Sequence, residues 1–282
     1  FHRIMMKSAA KLSYQQAQAA IDGQPDDKTG PMLEPILKPL WHAYEILKKG
    51  RDRRQPLELN MPERKILLKP DGTVDRVFVP PRLDAHKLIE EMMIQANVAA
   101  AETLEKRKQV LIYRIHDGPT LAKQEILREF LATLGISLAK GGNVRANSFN
   151  GILAKAEGTA HQTMVNEMVL RSQSQAIYSP DNIGHFGLNL MKYAHFTSPI
   201  RRYADLIVHR ALVSSLGLGE GGITPDEEAS LDDIAAEIST FERRAMAAER
   251  ETVDRLIAHH LAGKVGAEFE ARVGGVTKSG LF

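Results

Sequence analysis

The stretch from Asp84 to Lys108 limits the fold more than any other, because its apolar residues leave little of a helix for water. Asp84 is placed to cap it. Leu88, Ile89, Met92, Met93, Ala96, Ala99, Ala100 and Leu104 cover most of the circumference at 3.6 residues per turn. A helix of this kind has to be central and surrounded, so the rest of the chain is expected to pack around it. With 282 residues, 43% of them hydrophobic, there is enough chain for one large domain or two ordinary ones.

The elements expected to surround it are mostly helices. Ser13-Tyr-Gln-Gln16 is a capping-box pattern that opens a short helix ending near Gly23, before a turn-rich segment from Gln24 to Pro31. Leu33, Ile36, Leu37, Leu40, Tyr44 and Leu47 stripe a second helix, kinked at Pro39 and ended by Gly50. Leu57–Asn60, Arg64–Lys69 and Val74–Val79 read as strands, the last two joined through the turn Pro70-Asp-Gly-Thr73. A strand at Val110–Ile115 precedes a helix from about Thr120 to Leu134, closed by Gly135, and two further helices fall between Asn147 and Gln175. The glycines between Gly217 and Gly222 read as a flexible connector. Thr224-Pro-Asp-Glu227 then opens a helical segment running, with a break near Ser230, to Gly263, and Glu268–Val273 alternates as a new strand. The expected class is α+β, predominantly helical with a minor antiparallel or mixed sheet.

Composition excludes more than it assigns. The net charge of +2 demands no polyanionic partner, so any such surface has to come from local clustering. The absence of cysteine rules out disulfides, thiolate zinc sites and cysteine nucleophiles. No apolar run reaches the roughly 20 residues of a membrane span and no signal peptide opens the chain, which makes a cytoplasmic protein with no membrane partner the default. The chain opens on Phe1 and closes on Leu281-Phe282, both inside strand-like segments, and is expected to be a piece of a longer protein.

The chemistry concentrates in residues 194–210. Ser198 suits an N-cap and Pro199 the first helical position, while Ile200, Tyr203, Ala204, Ile207, Val208 and Ala211 trace one packed face. Free amides, the positive end of the macrodipole and the adjacent guanidinium groups of Arg201 and Arg202 would together clamp a phosphate. Equally, an arginine in a first turn can pair with a carboxylate and merely hold structure. Glu249 has Ala245, Met246, Thr252 and Val253 as helical neighbours, so its carboxylate is expected half-buried on a largely apolar face. It would be partnered by Arg201, as part of a site or as a plain inter-helix salt bridge. Glu90 and Glu91 project about 100° apart, so one is expected inward unless the pair belongs to an exterior charged stripe. His185, His195 and His209 fit no helical metal-ligand spacing, and no metal site is expected from them. His185-Phe186 and His195-Phe196 suit stacking, against bases or against the core.

Thr197-Ser-Pro-Ile-Arg-Arg-Tyr-x-Asp-Leu-x-x-His-Arg210 resembles the signature of the ribonuclease II and ribonuclease R family of processive exoribonucleases. Leu88-Ile-Glu-Glu-Met-Met-Ile-Gln-Ala-Asn97, Tyr113-Arg-Ile-His-Asp117, Gln175-Ala-Ile-Tyr178 and Gly184-His-Phe-Gly-Leu188 carry the same resemblance, which extends from about Lys7 to Phe282. It implies a magnesium-dependent 3′→5′ exoribonuclease, a monomer releasing nucleoside 5′-monophosphates from single-stranded RNA. It also implies that Arg201 and Glu249 lie beside the scissile phosphate. A glutamate of the Glu90-Glu91 pair, for which Glu90 is favoured, would touch the terminal nucleotide. Thr197, Ser198, Arg202, Tyr203, His195 and Glu91 are the further residues expected against RNA. The basic run Lys48-Lys49-Gly-Arg51-Asp-Arg53-Arg54 is either a solvated helix end or a contact to RNA backbone. Leu59 stands where the family keeps a base-stacking aromatic residue. The family's metal-binding aspartates and stacking tyrosine would lie upstream of Phe1, so this segment is expected to bind no magnesium and to be inactive alone. Residues 1–263 would be part of the catalytic domain and 264–282 the first strand of an OB-fold RNA-binding domain. A non-catalytic RNA-binding relative and a helical interaction scaffold are the alternatives.

Overall fold

A computed structural model describes residues 1–61, 64–140, 144–269, 273, 276–277 and 280–281. The chain divides into two compact units, Phe1–Pro62 with Pro81–Glu242, and Glu63–Pro80 with Arg243–Phe282. The boundary expected at 263/264 falls inside the second unit.

In the first unit the helices are α1 (Tyr14–Ile21), α2 (Gly30–Met32), α3 (Lys38–Arg54), α4 (Asp84–Lys106), α5 (Leu121–Thr133), α6 (Ala146–Ala156), α7 (Gln162–Ser172), α8 (Tyr203–Leu216) and α9 (Pro225–Ala229), followed by the start of α10 (Leu231–Ala262). Strands β3 (Tyr113–Ile115) and β4 (Ile177–Ser179) pair antiparallel, Tyr113 opposite Ser179. The second unit holds the antiparallel hairpin of β1 (Lys65–Leu68) and β2 (Val74–Phe78), the remainder of α10, and the short pair β5 (Val276–Thr277) and β6 (Gly280–Leu281). The class is α+β as expected, mostly helical with small antiparallel ladders.

Local signals set the helix ends. Ser13 and Thr224 each form the capping box that the sequence announces, Thr120 caps α5, and Ser230 separates α9 from α10. Helix α4 departs from expectation. Only one face is buried, through Leu88, Ile94, Ala100, Ala101 and Leu104, whereas Ile89 and Ala99 are exposed. Two polar residues, Glu91 and Asn97, lie on that buried stripe.

Further expectations are corrected. Helix α3 runs through Gly50 to Arg54, because a glycine costs a helix only about 1 kcal/mol and Arg51 in the added turn is ion-paired to Glu91. The irregularity expected at Pro39 lies before it, as a π-helical turn at Leu33–Leu37, and Pro39 opens α3 where its missing amide is harmless. Leu57–Asn60 forms no strand. Its amides donate instead to Gly187 O (2.8 Å), Asn150 Oδ1 (2.9 Å) and Asn166 Oδ1 (2.9 Å), so the segment is satisfied without a ladder partner. The glycine-rich connector is anchored, with Arg210 donating to Gly222 O (3.0 Å) and Arg3 to Glu220 O (2.8 Å). No strand forms at Glu268 and Phe269, and the remainder of the expected strand to Val273 lies largely outside the described residues.

Two apolar clusters fill the first unit. One gathers α4, β3, β4 and α8 around Leu104, Ile112, Ile207 and Val208, and the other joins α5, α6 and α7 around Phe149, Leu131, Val165 and Val169.

Candidate functional site

The signature segment folds differently from the helix expected of it. Helix α8 begins at Tyr203, and Pro199–Arg201 form a turn in which the amides of Arg201 (3.3 Å) and Arg202 (3.1 Å) both return to Ser198 O. The Ser198 amide donates to Asp205 Oδ1 at 2.8 Å. These amides are therefore spent, and no anion-binding helix start exists at Ser198. Asp205 is the reason. Its carboxylate is wholly buried and also accepts Arg202 Nε at 2.7 Å and Nη2 at 2.8 Å, which draws the chain into a turn before the helix can start. Ile200, expected on the packed face, is fully exposed, while Ala204, Ile207, Val208 and Ala211 are buried as expected.

The two arginines thus have different fates. Two of the three Arg202 nitrogens are committed to Asp205, so the expected double clamp is reduced. Arg201 is exposed, and among the described residues its guanidinium has no hydrogen-bond or ion-pair partner. Tyr203 is about half exposed, and Thr197 and Ser198 are partly buried.

Glu90 and Glu91 separate as their spacing requires. Glu91 is the inward one, 2% exposed, with Arg51 Nη1 at 2.7 Å and Arg54 Nη2 at 3.8 Å. Burial and this pairing act oppositely on Arg51, and the carboxylate prevails, raising its pKa. Arg51 and Arg54 are accordingly not a solvated cluster. Glu90, more than a third exposed, is paired with Arg82 and lies 3.7 Å from Arg51. Both glutamates line a cavity of about 750 Å³ walled by α3, α4, α6 and α7, with Leu59 and Asn60 at its edge. Glu90 also lines a smaller cavity of about 230 Å³ together with Arg202, Asn97, Tyr193 and the stacked rings of Tyr14 and His86. The structure so brings Glu90 and Arg202 to one cavity.

Behind this turn lies an aromatic and histidine core. Asn97 Nδ2 donates to Tyr193 Oη (3.0 Å) and Asn97 Oδ1 accepts the Phe196 amide (2.8 Å), tying Tyr193–Phe196 to α4. Phe196 stacks on His209 at 4.3 Å, so its ring serves packing. His195 Nδ1 lies 2.9 Å from the Tyr178 hydroxyl, and Arg114, bidentate to Glu242 at 2.7 and 2.9 Å, covers the Tyr178 ring at 4.6 Å. His116 uses both nitrogens as a neutral ring, Nε2 to Ser174 O (2.9 Å) and Nδ1 accepting the Gly187 amide (2.9 Å). Burial, reinforced by nearby cationic groups, pushes His185 down to about 3 and His195 down to about 2, and lowers His116. An unfolded chain would bind protons at His185 and His195 from about pH 6.5 downward while the folded one does not, and His116 shifts in the same direction. Their contribution to stability is complete above that value and lost as the pH falls through the folded values. Between pH 7 and 5 the free energy of unfolding is therefore expected to fall, with a limiting slope of about 1.4 kcal/mol per pH unit for each neutral ring. Urea titrations at pH 7, 6 and 5 check this, and an unmoved midpoint would contradict it.

Glu249 lies in the second unit and is exposed on α10, as are Ala245, Met246 and Thr252, so the half-buried apolar face expected for it is absent. Among the described residues no group of three or more His, Asp or Glu is arranged to hold a metal ion, and no helix is long and apolar enough to cross a membrane. The sequence reading gave no role to Asp205, Asn97, Arg114 or Glu242. Only Asp205 carried a local signal, its i, i+3 spacing from Arg202.

Comparison with known proteins matches residues 1–217 to the RNB domain. Ribonuclease R of Vibrio parahaemolyticus is 36% identical over all of this chain and 35% of its own length, and ribonuclease R of Escherichia coli is 36% identical over all of this chain and 36% of its own length. The chain thus spans about a third of the length of these curated relatives. Mycoplasma genitalium RNase R, solved in complex with ribose-methylated single-stranded RNA, superposes with a TM-score of 0.88 at 25% identity, covering 95% of this chain and 42% of that one. The signature turn, the buried Glu91 and the aromatic core behind them therefore sit in a known frame, and the chain belongs to the RNB-domain family, that of ribonuclease II and ribonuclease R.

Proposed function

We propose that the protein carrying this segment is a processive 3′→5′ exoribonuclease that hydrolyses single-stranded RNA to nucleoside 5′-monophosphates in the cytoplasm. The observation that carries the reading is Arg201, whose guanidinium has no partner among the described residues and stands on a turn pinned from beneath, within a chain of the RNB family. A planar fork of this kind matches two phosphoryl oxygens and stabilises charge that develops on them. On the family resemblance alone, Glu249 is assigned to the attacked RNA end and Glu90 to the terminal nucleotide. Thr197, Ser198, Tyr203, His195 and Glu91 shape the surroundings, and Arg202 acts mainly through Asp205. The solved complex of the Mycoplasma genitalium relative with ribose-methylated single-stranded RNA supports RNA as the ligand class.

Magnesium is assigned to carboxylates of the intact protein other than these. The described residues do not fit a magnesium site, and no step is routed through one. The 282 residues alone are accordingly expected to release no nucleotides from RNA, with or without magnesium.

The test is an RNA oligonucleotide labelled at its 5′ end and incubated with the intact protein. Stepwise shortening from the 3′ end with accumulation of nucleoside 5′-monophosphates is expected, with DNA of the same sequence left intact. Tight binding without shortening would replace the reading by that of a non-catalytic RNA-binding relative. Indifference to RNA would favour an interaction scaffold.

A further inference from the structure

We propose that Asp205 is the positioning residue of this site, a buried carboxylate that clasps Arg202 and the Ser198 amide together and thereby presents Arg201. The proposal rests on the reading of Arg201 given above. Both carboxylate oxygens are used: Oδ1 accepts the Ser198 amide and Arg202 Nη2, each at 2.8 Å, and Oδ2 accepts Arg202 Nε at 2.7 Å. The two ends of the turn, Ser198 and Arg202, are so tied to one group, and the residues between them are left to project.

The clasp rests on a rigid base. Asp205 lies on α8, whose Ala204, Ile207, Val208 and Ala211 are buried in the apolar cluster, so the carboxylate cannot follow the turn if the turn shifts. A buried carboxylate is stable only with its partners in place, which couples the turn's position to the ion pair. The charge pattern has a second consequence. Two adjacent guanidinium groups repel one another, and Asp205 neutralises Arg202 while Arg201 is left without an ion-pair partner among the described residues. One arginine is structural so that its neighbour stays available.

The experiment is a double-mutant cycle in the intact protein on a single-stranded RNA oligonucleotide. In Asp205→Asn the amide oxygen can still accept the Ser198 amide but cannot hold the guanidinium fork with two anionic oxygens. The expected loss in kcat is about 10- to 100-fold, the scale of a misplaced catalytic group, with KM changed by less than about twofold. The distinguishing result is non-additivity: Arg201→Ala combined with Asp205→Asn turns over no more slowly than Arg201→Ala alone. If Asp205→Asn is too unstable to purify, Arg202→Lys opens the clasp from the other side, because a lysine cannot span both oxygens, and the same cycle is run with it. Losses that multiply in the double variant, or a change confined to KM, would overturn the clasp while leaving Arg201 in place. Parental turnover in Arg201→Ala would overturn the site reading itself, and the clasp with it.

Discussion

Arg201→Ala in the intact protein is expected to lower turnover on single-stranded RNA by about 10²- to 10³-fold, the cost of removing one preorganised donor from a developing phosphoryl charge. Folding stability should stay within about 0.5 kcal/mol of the parent, as for other surface substitutions. The dissociation of the two effects follows from the side chain's position. It is exposed and makes no internal bond among the described residues, so deleting it removes nothing that holds the fold together. Glu249→Ala is expected to behave alike, since that carboxylate is also exposed. Single-turnover rates and thermal unfolding of the same preparations decide the matter. Equal turnover in variant and parent would remove Arg201 from the chemistry.

The second large effect separates the adjacent glutamates. Glu91→Ala is expected to cost about 3 kcal/mol, because it removes the buried carboxylate that Arg51 and Arg54 share and leaves Arg51 only the longer contacts to Glu58 at 3.6 Å and Glu90 at 3.7 Å. Glu90→Ala removes a pair between exposed side chains, Arg82 and Glu90, and should cost no more than about 1 kcal/mol. Turnover should respond in the opposite order, falling in Glu90→Ala if that carboxylate meets the terminal nucleotide. Denaturant midpoints and RNA turnover, measured on both variants, give a crossed pattern under this assignment. A Glu91→Ala protein as stable as the parent would mean that the buried pair holds nothing. A fully active Glu90→Ala protein would take Glu90 out of the site.

Much of this fold was legible in local sequence, and the reason is distance along the chain. Capping boxes at Ser13 and Thr224, the break at Ser230, and the β1–β2 hairpin all rest on partners within a few residues of one another. The family resemblance rested on motifs that are likewise contiguous. Where the reading failed, the deciding partner was remote or unforeseen. Asn150 and Asn166 satisfy the amides of Glu58 and Asn60 from about a hundred residues away and spare that segment a ladder. Glu91 holds the last turn of α3 from 40 residues away, beyond a glycine that would ordinarily mark its end.

By itself, the sequence determined which elements form, the family to which they belong, and which charged residues are candidates for chemistry, since periodicity, capping and short motifs are written within a few turns of chain. Only the tertiary structure decided which candidates are free to act. Arg201 and Arg202 are neighbours of identical chemistry, and Glu90 and Glu91 likewise. What distinguishes the members of each pair is burial beside an opposite charge, a property of packing that no local pattern specifies.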